Sequence, residues 1–490
     1  MGVSPEHAAP PEYAATRRLD ELRAAEYPHL DADGQVYLDY TGSGVAALSQ
    51  FAAHQRRLSG RLYGNPHSES PASRASTDLV ESARAAVLAF FNADPGEYAV
   101  VFTANATAAC RLVGEAYPFG RGSRLVLTGD NHNSVNGIRE FAKARGARVV
   151  QLPVRGPDLR VGDGEVRAAL GRGRGLLAYP AQSNFTGVQH PLEWVAAAHE
   201  HGYDVLLDAA AFAPANPLDL SATHPDFVPV SWYKVFGYPT GVGALVARRE
   251  ALARLRRPWF AGGTIRAASA LGGWHVLAGD ETAFEDGTLD FLSIPDVEFG
   301  LDWIKAIGMD LIHRRVSLLT SSLLRRLAAL RHADGSPLVL LYGPAGTAGR
   351  GGTVAFNVLD RRGRVVDERA VARDTAAAGI CVRTGCFCNP GAGEGAFGVS
   401  ERTLRRASPR LAALIRAQVT GRDTGRDLGS AGGTLDGYLD LLGLPTGGAV
   451  RASLGLMSNM ADLERLVTFL ESAYRDREPA MDGLPPRERC

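Results

Sequence analysis

The segment Val205-Leu-Leu-Asp-Ala-Ala210 decides the fold that we predict for this chain. It begins as a short apolar run, which is typical of a buried strand, and then places a carboxylate at the end of that run. Similar runs precede and follow it, separated by amphipathic stretches such as Leu79–Phe90, with Thr77 or Asp78 as its cap, and Pro191–His201. These runs lie at Tyr98–Thr103, Leu125–Thr128, Arg148–Leu152, Leu176–Pro180, Phe227–Ser231 and Gly243–Val246. Buried strands that alternate with helices predict an α/β fold with a mostly parallel sheet between helices.

The sequence pattern changes after about Phe260, where helical periodicity dominates before strands return. The predicted elements there are helices at Val297–Ile307, Met309–Leu330 and Ala461–Tyr474, and strands at Leu338–Leu341, Val354–Val358 and Ile380–Arg383. We therefore predict an N-terminal segment over 1–35 that packs with the C-terminal part, a large domain over 36–265 and a smaller α+β domain over 266–490. Residues 400–447, rich in Arg, Gly and Thr, are predicted to be a surface insertion in the smaller domain.

The composition excludes several classes of protein. The 490 residues contain 53 Lys plus Arg and 53 Asp plus Glu, so overall charge gives no reason to bind nucleic acid or an anionic membrane. No apolar run approaches the ~20 residues of a membrane helix, and the N-terminus lacks the apolar core of a signal peptide. Five cysteines in so long a chain do not make a disulfide framework, and we expect a cytoplasmic protein.

A lysine follows directly after the predicted strand Phe227–Ser231, and a Gly-rich turn follows the lysine. Burial at this point would lower the pKa of Lys234, so that its amine could attack an aldehyde and form a Schiff base. Asp208 ends a strand about one strand–helix–strand step earlier, and it could pair with a protonated pyridine nitrogen beside Lys234. A surface lysine before a hairpin and a helix-capping aspartate are the alternative interpretations.

Two further strand ends carry polar residues. Phe102-Thr-Ala-Asn-Ala-Thr-Ala108 predicts a strand, a tight turn and a helix start. The free N–H groups of that helix start and the hydroxyl of Thr107 could bind an anion, although a simple capped helix is the competing explanation. His132 follows the strand Leu125–Thr128, where an imidazole could stack on a cofactor ring and shuttle protons. A histidine that merely satisfies its hydrogen bonds is the alternative.

The segment Arg383-Thr-Gly-Cys-Phe-Cys388 combines a cation with two thiols. The guanidinium of Arg383 can bind a substrate carboxylate with two parallel hydrogen bonds. A cysteine on a Gly/Pro loop is exposed, which suits a nucleophile better than a buried thiol does. Zinc is the main rival for Cys386 and Cys388, but the other cysteines show no paired spacing, and we expect no metal site.

Together these motifs resemble the class V, fold-type I pyridoxal-phosphate enzymes, in their cysteine desulfurase branch, and are similar to the N-terminal desulfurase domain of the molybdenum cofactor sulfurases. Further matching segments are Tyr37-Leu-Asp-Tyr-Thr-Gly42, Tyr179-Pro-Ala-Gln-Ser-Asn-Phe-Thr-Gly187, Phe284-Glu-Asp-Gly-Thr288 and Val450-Arg-Ala-Ser-Leu-Gly455. The resemblance implies the fold of this family, pyridoxal 5'-phosphate as cofactor and a homodimer. It also implies conversion of L-cysteine to L-alanine, with the sulfur carried as a cysteine persulfide to an acceptor that the sequence does not identify.

The resemblance also implies a role for each matching residue. Lys234 would bind the cofactor covalently, Asp208 would pair with its ring nitrogen, and His132 would stack on the ring. Cys388 would form the persulfide, with Cys386 as the second choice. The remaining residues would be Ala106, Thr107, Ser231 and Tyr233 at the phosphate, Thr264 at the phosphate of the partner subunit's cofactor, Asn184 at the ring hydroxyl and substrate, and Arg383 at the substrate carboxylate.

The chain departs from the desulfurase pattern in three ways. Ala211 stands where desulfurases commonly carry Gln, and Tyr233 stands where they commonly carry His. The C-terminal domain of the full-length sulfurases has no counterpart in these 490 residues, so the resemblance implies the desulfurase half. Another class V reaction, such as a C–S lyase or an aminotransferase of secondary metabolism, stays open, as does a non-catalytic scaffold. Retention of Lys234, Asp208 and Arg383 together argues against the scaffold.

Overall fold

The structure is a computed structural model that describes residues 11–409 (except 67 and 172), 436, 439, 442–444, 446–480 and 483–487. Most of the predicted insertion at 400–447 therefore lies outside the described residues. The strands are β1 (Val36–Tyr37), β2 (Tyr98–Thr103), β3 (Ser123–Thr128), β4 (Arg148–Leu152), β5 (Arg174–Pro180), β6 (Tyr203–Asp208), β7 (Phe227–Ser231), β8 (Gly243–Arg248), β9 (Ile265–Ser269), β10 (Trp274–Leu277), β11 (Val339–Tyr342), β12 (Thr353–Val358), β13 (Ile380–Cys381), β14 (Arg383–Gly385) and β15 (Ala449–Ser453).

Helices connect and cover these strands. They are α1 (Arg18–Glu26), α2 (Pro28–Ala32), α3 (Leu48–Gly60), α4 (Pro71–Phe90), α5 (Ala106–Ala116), α6 (Asn133–Asn136), α7 (Ile138–Ala144), α8 (Asp163–Leu170), α9 (Trp194–Glu200), α10 (Leu220–Thr223), α11 (Trp232–Phe236), α12 (Arg249–Arg254), α13 (Pro295–Ile307), α14 (Met309–Ala329), α15 (Glu368–Ala377), α16 (Pro390–Ala396) and α17 (Met460–Tyr474). None of the helices in the described residues is long and apolar enough to span a membrane.

The larger sheet has seven strands in the order β2-β8-β7-β6-β5-β3-β4. Strands β7, β6, β5, β3 and β4 are parallel to one another, and β8 runs antiparallel to both β2 and β7. Side chains on alternate positions enter two separate cores: Val100 and Phe102 of β2 pack into one, and Ala99 and Val101 into the other. Because helices cover both faces, the strands other than the edge strand β4 are mostly apolar and buried. The predicted α/β fold with a mostly parallel sheet is confirmed.

Two predicted element boundaries were wrong. Helix α4 begins at Pro71 with Ser70 as its cap, and not near Thr77 or Asp78. The Ser73 N–H donates to Ser70 Oγ at 3.2 Å, and a proline at the first helical position needs no donor partner, so the helix starts before its apolar face does. The predicted strand Ile380–Arg383 is two short strands in different sheets, since β13 pairs with β1 and β14 pairs with β15.

The smaller half is built on an antiparallel sheet of order β11-β12-β15-β14, against which α14 and α15 pack. The N-terminal segment packs on this half through two buried arginines. Arg315 of α14 donates to Asp20, with the shortest distance 2.8 Å, and Arg23 of α1 donates to Asp462 of α17 at 2.6 Å. Strand β1 then pairs with β13 before the chain enters the larger half. The precise domain boundaries stay a prediction.

Candidate active site

Six strands end at the same edge of the larger sheet, and the residues after five of them form a site. Strands β3, β5, β6 and β7 are parallel, and β2 points the same way as β7 because both are antiparallel to β8. The residues that follow these ends enclose a cavity of about 310 Å³. The structure brings most of the predicted site residues into its wall: Ala106, Thr107, His132, Asn184, Asp208, Ser231, Tyr233 and Lys234. Polar residues gathered outside the carboxyl ends of a parallel sheet mark its usual ligand-binding edge.

Lys234 lies in the short helix α11, directly after β7. Gly237, whose φ is +82°, caps the C-terminus of α11, and a Cβ at this glycine would lie 2.2 Å from Ala46 N. Lys234 Nζ makes no hydrogen bond or ion pair with any other described residue, although Asp208 also lines the cavity. Burial lowers the pKa of Lys234, and the negative charge of Asp208 opposes this shift. The cavity therefore holds an amine that is easier to deprotonate than an exposed lysine.

The N-terminus of α5 opens into the same cavity. Asn105 caps the helix by accepting a hydrogen bond from Ala108 N–H at 2.9 Å, and Ala106 N–H donates to Ser231 Oγ at 2.9 Å. Thr107 Oγ1 is hydrogen-bonded to Ser134 Oγ at 2.6 Å. The N-terminus of this 11-residue helix is surrounded by hydroxyl groups, and it is a suitable site for a phosphate.

His132 lies in the cavity wall on the loop between β3 and α6. Its Nδ1 accepts a hydrogen bond from Ser134 N–H at 3.1 Å, which leaves a proton for Nε2 in the neutral imidazole. Burial and, after it, the charge of Lys234 lower the pKa of His132 to about 4. His132 is therefore a neutral, flat ring at pH 7, as required of a group that stacks on a cofactor.

Arg383 is half exposed, and its guanidinium contacts Asp39 rather than the cavity wall, with Nη2 to Oδ2 at 2.6 Å. A second arginine, Arg451 of β15, is buried and also contacts Asp39, at 2.8 Å. Arg451 donates to the backbone oxygen of Asn184, and its Nε donates to none of the residues that the structure describes. Arg451 acts electrostatically on both Lys234 and His132, and Arg383 acts on Lys234, so both arginines are candidates to bind a ligand carboxylate.

The sequence interpretation assigned no role to Arg451, although Val450-Arg-Ala-Ser-Leu-Gly455 was among its motifs. A second missed residue is Gln182, which lines the cavity beside Ala211. Its Oε1 accepts from Gln189 Nε2 at 3.2 Å and from Asn216 Nδ2 at 3.3 Å, whereas its Nε2 donates to none of the described residues. Because these bonds hold the Gln182 amide by its oxygen, its N–H₂ group can donate to a ligand. Gln182 thus offers an amide donor beside Ala211, the position at which desulfurases commonly carry Gln.

The two cysteines of the 383–388 segment differ in state. Cys388 is an exposed free thiol that interacts electrostatically with Arg383 and Arg451. Cys386 is buried and takes part in a disulfide, so it offers no free nucleophile in this structure. Neither sulfur lines the cavity itself.

Thr264 lies away from this chain's cavity. It is buried, and its Oγ1 accepts from Ala261 N–H and donates to Ala261 O. Its turn joins exposed aromatic residues, Trp259 and Phe260, to the hairpin β9–β10. Its predicted role at a partner's cofactor stays a prediction.

The fold and this set of side chains define a class of protein, and comparison with known proteins identifies it. The chain belongs to the aminotransferase class-V family, whose model matches residues 36–412. The resemblance predicted from the motifs is therefore confirmed at the level of the family.

Within that family the chain is similar to molybdenum cofactor sulfurases. It is 37% identical to the Bos taurus protein over 96% of this chain and 54% of the relative, and 36% identical to the Solanum lycopersicum protein over 94% and 57%. The chain thus spans little more than half the length of these relatives.

Solved structures share the fold. A cysteine desulfurase from Thermococcus onnurineus NA1 matches with a TM-score of 0.73 and 24% identity over 92% of this chain and 97% of that one. A cystine C–S lyase, solved with its reaction product cysteine persulfide, matches with a TM-score of 0.66 and 21% identity over 91% and 99%.

The cavity fits pyridoxal phosphate as a cofactor. It offers the Lys234 amine, which pairs with no other residue in the described part of the chain, a carboxylate at Asp208 and a phosphate site at the start of α5. These are the groups that the aldehyde, the ring nitrogen and the phosphate of that cofactor require.

Proposed function

We propose that this chain is a pyridoxal-phosphate-dependent cysteine desulfurase, which converts L-cysteine to L-alanine and keeps the sulfur as a persulfide on Cys388. The proposal rests on one observation above the others: Cys388 carries an exposed free thiol that interacts electrostatically with Arg383 and Arg451. The similarity to molybdenum cofactor sulfurases supports it.

The residues of the cavity would hold the cofactor as follows. Lys234 would bind it through Nζ, Asp208 would pair with its ring nitrogen, and His132 would pack on its ring. The N–H groups at the start of α5, with Thr107 and Ser231, would hold its phosphate. When bound, the cofactor supplies an electron sink for the pair released when an amino acid loses its Cα proton.

The chain's own groups would then perform three tasks. Arg451, together with Arg383, would bind the substrate carboxylate. Lys234, whose pKa burial lowers, would accept the Cα proton at Nζ. Cys388 Sγ, as a thiolate, would attack the substrate sulfur. An S–S bond would form as the Cβ–S bond breaks, and the Cβ would keep the electron pair and gain a proton to give alanine.

A C–S lyase is the second candidate, because a lyase of that kind has the same fold. It needs no protein thiol, so Cys388 separates the two functions. The test is the yield of alanine and sulfide from L-cysteine with a reductant, for the wild type, Cys388→Ser and a control, Cys381→Ser, which changes a free thiol on β13. We expect loss of alanine formation only in Cys388→Ser. Equal alanine yields from all three proteins would exclude the persulfide mechanism.

We also propose that the chain forms a homodimer through the segment 259–277. Several large apolar side chains are exposed there: Trp259, Phe260, Leu271, Trp274 and Val276. A patch of this kind on a folded protein marks an interface. We expect sedimentation to give a dimer for the wild type and a monomer for Trp274→Glu. A monomeric wild type would refute this proposal.

The physiological sulfur acceptor is a further partner that the proposed activity requires. We infer that the protein works in the cytoplasm, because the exposed thiol of Cys388 must stay reduced to act. In that reducing compartment the disulfide of Cys386 would be open.

A further inference from the structure

The loop that carries Cys388 has an unusual backbone. Phe387 and Cys388 have φ values of +56° and +54°, so two consecutive residues with side chains occupy the left-handed region. This region is unfavourable for such residues, and it persists only where surrounding contacts hold it. The contacts that hold this loop therefore determine where the Cys388 thiol lies.

The carboxamide of Asn389 makes the central contacts. Asn389 is fully buried, and its Nδ2 donates to Asp130 O at 2.7 Å and to Asn184 Oδ1 at 2.8 Å. Its Oδ1 accepts from Ala392 N–H at 3.2 Å, which caps α16. Both donor hydrogens and the oxygen of one side chain are thus in use.

Two more hydrogen bonds hold the carbonyls of the left-handed residues. Asn184 Nδ2 donates to Phe387 O at 2.8 Å, and Asn133 N–H donates to Cys388 O at 2.7 Å. Asn133 and Asp130 flank His132, and Asn184 lines the cavity. Asn389 therefore contacts one of these two donors, Asn184, directly, and it bonds the chain three residues before the other, Asn133.

The side chain of Phe387 adds a further contact, with Arg451. The Arg451 guanidinium carbon lies 4.7 Å from the centroid of the Phe387 ring. Arg451 also donates to the Asn184 backbone oxygen at 3.0 Å. The residue before the nucleophile is thus packed on the arginine that would bind the substrate.

We propose that Asn389 is a positioning residue for the nucleophile: its two amide donors hold the loop of Cys388 in the left-handed conformation that keeps the thiol beside the substrate-binding arginines. This inference rests on the proposed function, since it concerns how Cys388 reaches the substrate sulfur. The rival role is purely structural, in which Asn389 does no more than cap α16.

Two substitutions separate these roles, because each keeps an acceptor for the helix cap and removes the amide donors. Asn389→Asp has nearly the same shape and gains a charge, whereas Asn389→Ser stays neutral. Asn459→Ser is the matched control, since Asn459 caps α17 in the same way, by accepting from Asp462 N–H.

The first measurement is hydrogen exchange of the cofactor-loaded protein over residues 129–137, which include the Asn133 amide. Loss of two hydrogen bonds should raise its exchange rate about tenfold in both Asn389 variants and leave it unchanged in Asn459→Ser. The second measurement is the steady-state kinetics of alanine formation. We expect kcat to fall about tenfold in both variants, with KM and the cofactor absorbance unchanged.

Exchange and kinetics equal to those of the wild type in both Asn389 variants would overturn the inference and leave Asn389 as a helix cap. A rise in KM with unchanged kcat would also overturn it, because it would place Asn389 in substrate binding. If the wild type forms no alanine from L-cysteine, the proposed function fails, and the exchange rates alone decide whether Asn389 holds the loop.

Discussion

Asp39 offers the sharpest test of how the site is held together. Its carboxylate joins two arginines: Arg383, whose side chain is 50% exposed, and Arg451, whose side chain is 3% exposed. The exposed pair contributes at most about 1 kcal/mol to stability, since solvent screens it. Removal of one partner from a buried pair costs about 3–5 kcal/mol, because the other charge stays buried and unpaired. We therefore expect Asp39→Asn to lower the free energy of unfolding by about 3–5 kcal/mol, almost all of it through Arg451.

The assay is denaturant unfolding with and without propionate, a carboxylate that lacks the amino group of the substrate. If Arg451 accepts a ligand carboxylate, propionate should restore part of the lost stability in Asp39→Asn, by about 2.7 kcal/mol at 100 times its Kd. Asp462→Asn is the matched control. It removes one of the two carboxylate partners of another buried arginine, Arg23, which keeps Asp31. None of these residues lines the cavity, so propionate should not restore the stability of this variant. Wild-type stability in Asp39→Asn, or equal rescue of both variants, would refute this account of Arg451.

Three other predictions follow from the cavity. Burial lowers the pKa of His132 to about 4, so the folded chain binds fewer protons than the unfolded chain between about pH 4 and 6.5, and its stability falls as the pH drops through that range. In unfolding curves measured across this range, the stability of His132→Gln should depend less on pH than that of the wild type. The same dependence of stability on pH in both proteins would contradict the assignment. Gly237→Ala should lower the free energy of unfolding by several kcal/mol, because the new Cβ would lie 2.2 Å from Ala46 N. Gly241→Ala, also at positive φ but with open space around it, should lower it by about 1 kcal/mol in the same denaturant assay. Equal losses of stability in the two variants would contradict the steric argument. Gln182→Ala should weaken binding of pyridoxal phosphate to the cofactor-free protein about tenfold in a spectroscopic titration, since one amide donor is lost. The control is Gln151→Ala on β4, whose amide donates to Thr128 O, and it should bind the cofactor as the wild type does. Unchanged affinity in Gln182→Ala would remove Gln182 from the cofactor site.

The sequence by itself determined the fold class and most of the cavity wall. Short apolar runs between amphipathic stretches predicted the strands. The carboxyl ends of parallel strands lie at the same edge of a sheet, so Asp208 and Lys234, which follow two such ends, were predicted to lie close together, and both line the cavity. These inferences needed only local patterns. Helix α4 shows their limit, because its first turns carry few apolar residues and its true start depends on the Ser70 cap.

The tertiary structure alone decided which side chains act on one another across long separations in sequence. One example is the cluster of Asp39 with two arginines, Arg383 on β14 and Arg451 on β15. These residues meet only because β14 pairs with β15 and the segment after β1, which carries Asp39, lies beside both strands. The contacts of Asn389 with the loop of His132, and the free donor of Gln182, depend in the same way on loops packed together by the fold. A sequence pattern gives the type of each side chain. It does not give the partner of a buried charge or amide, because the hydrogen bonds of such a group must be satisfied by whichever groups the fold brings within reach.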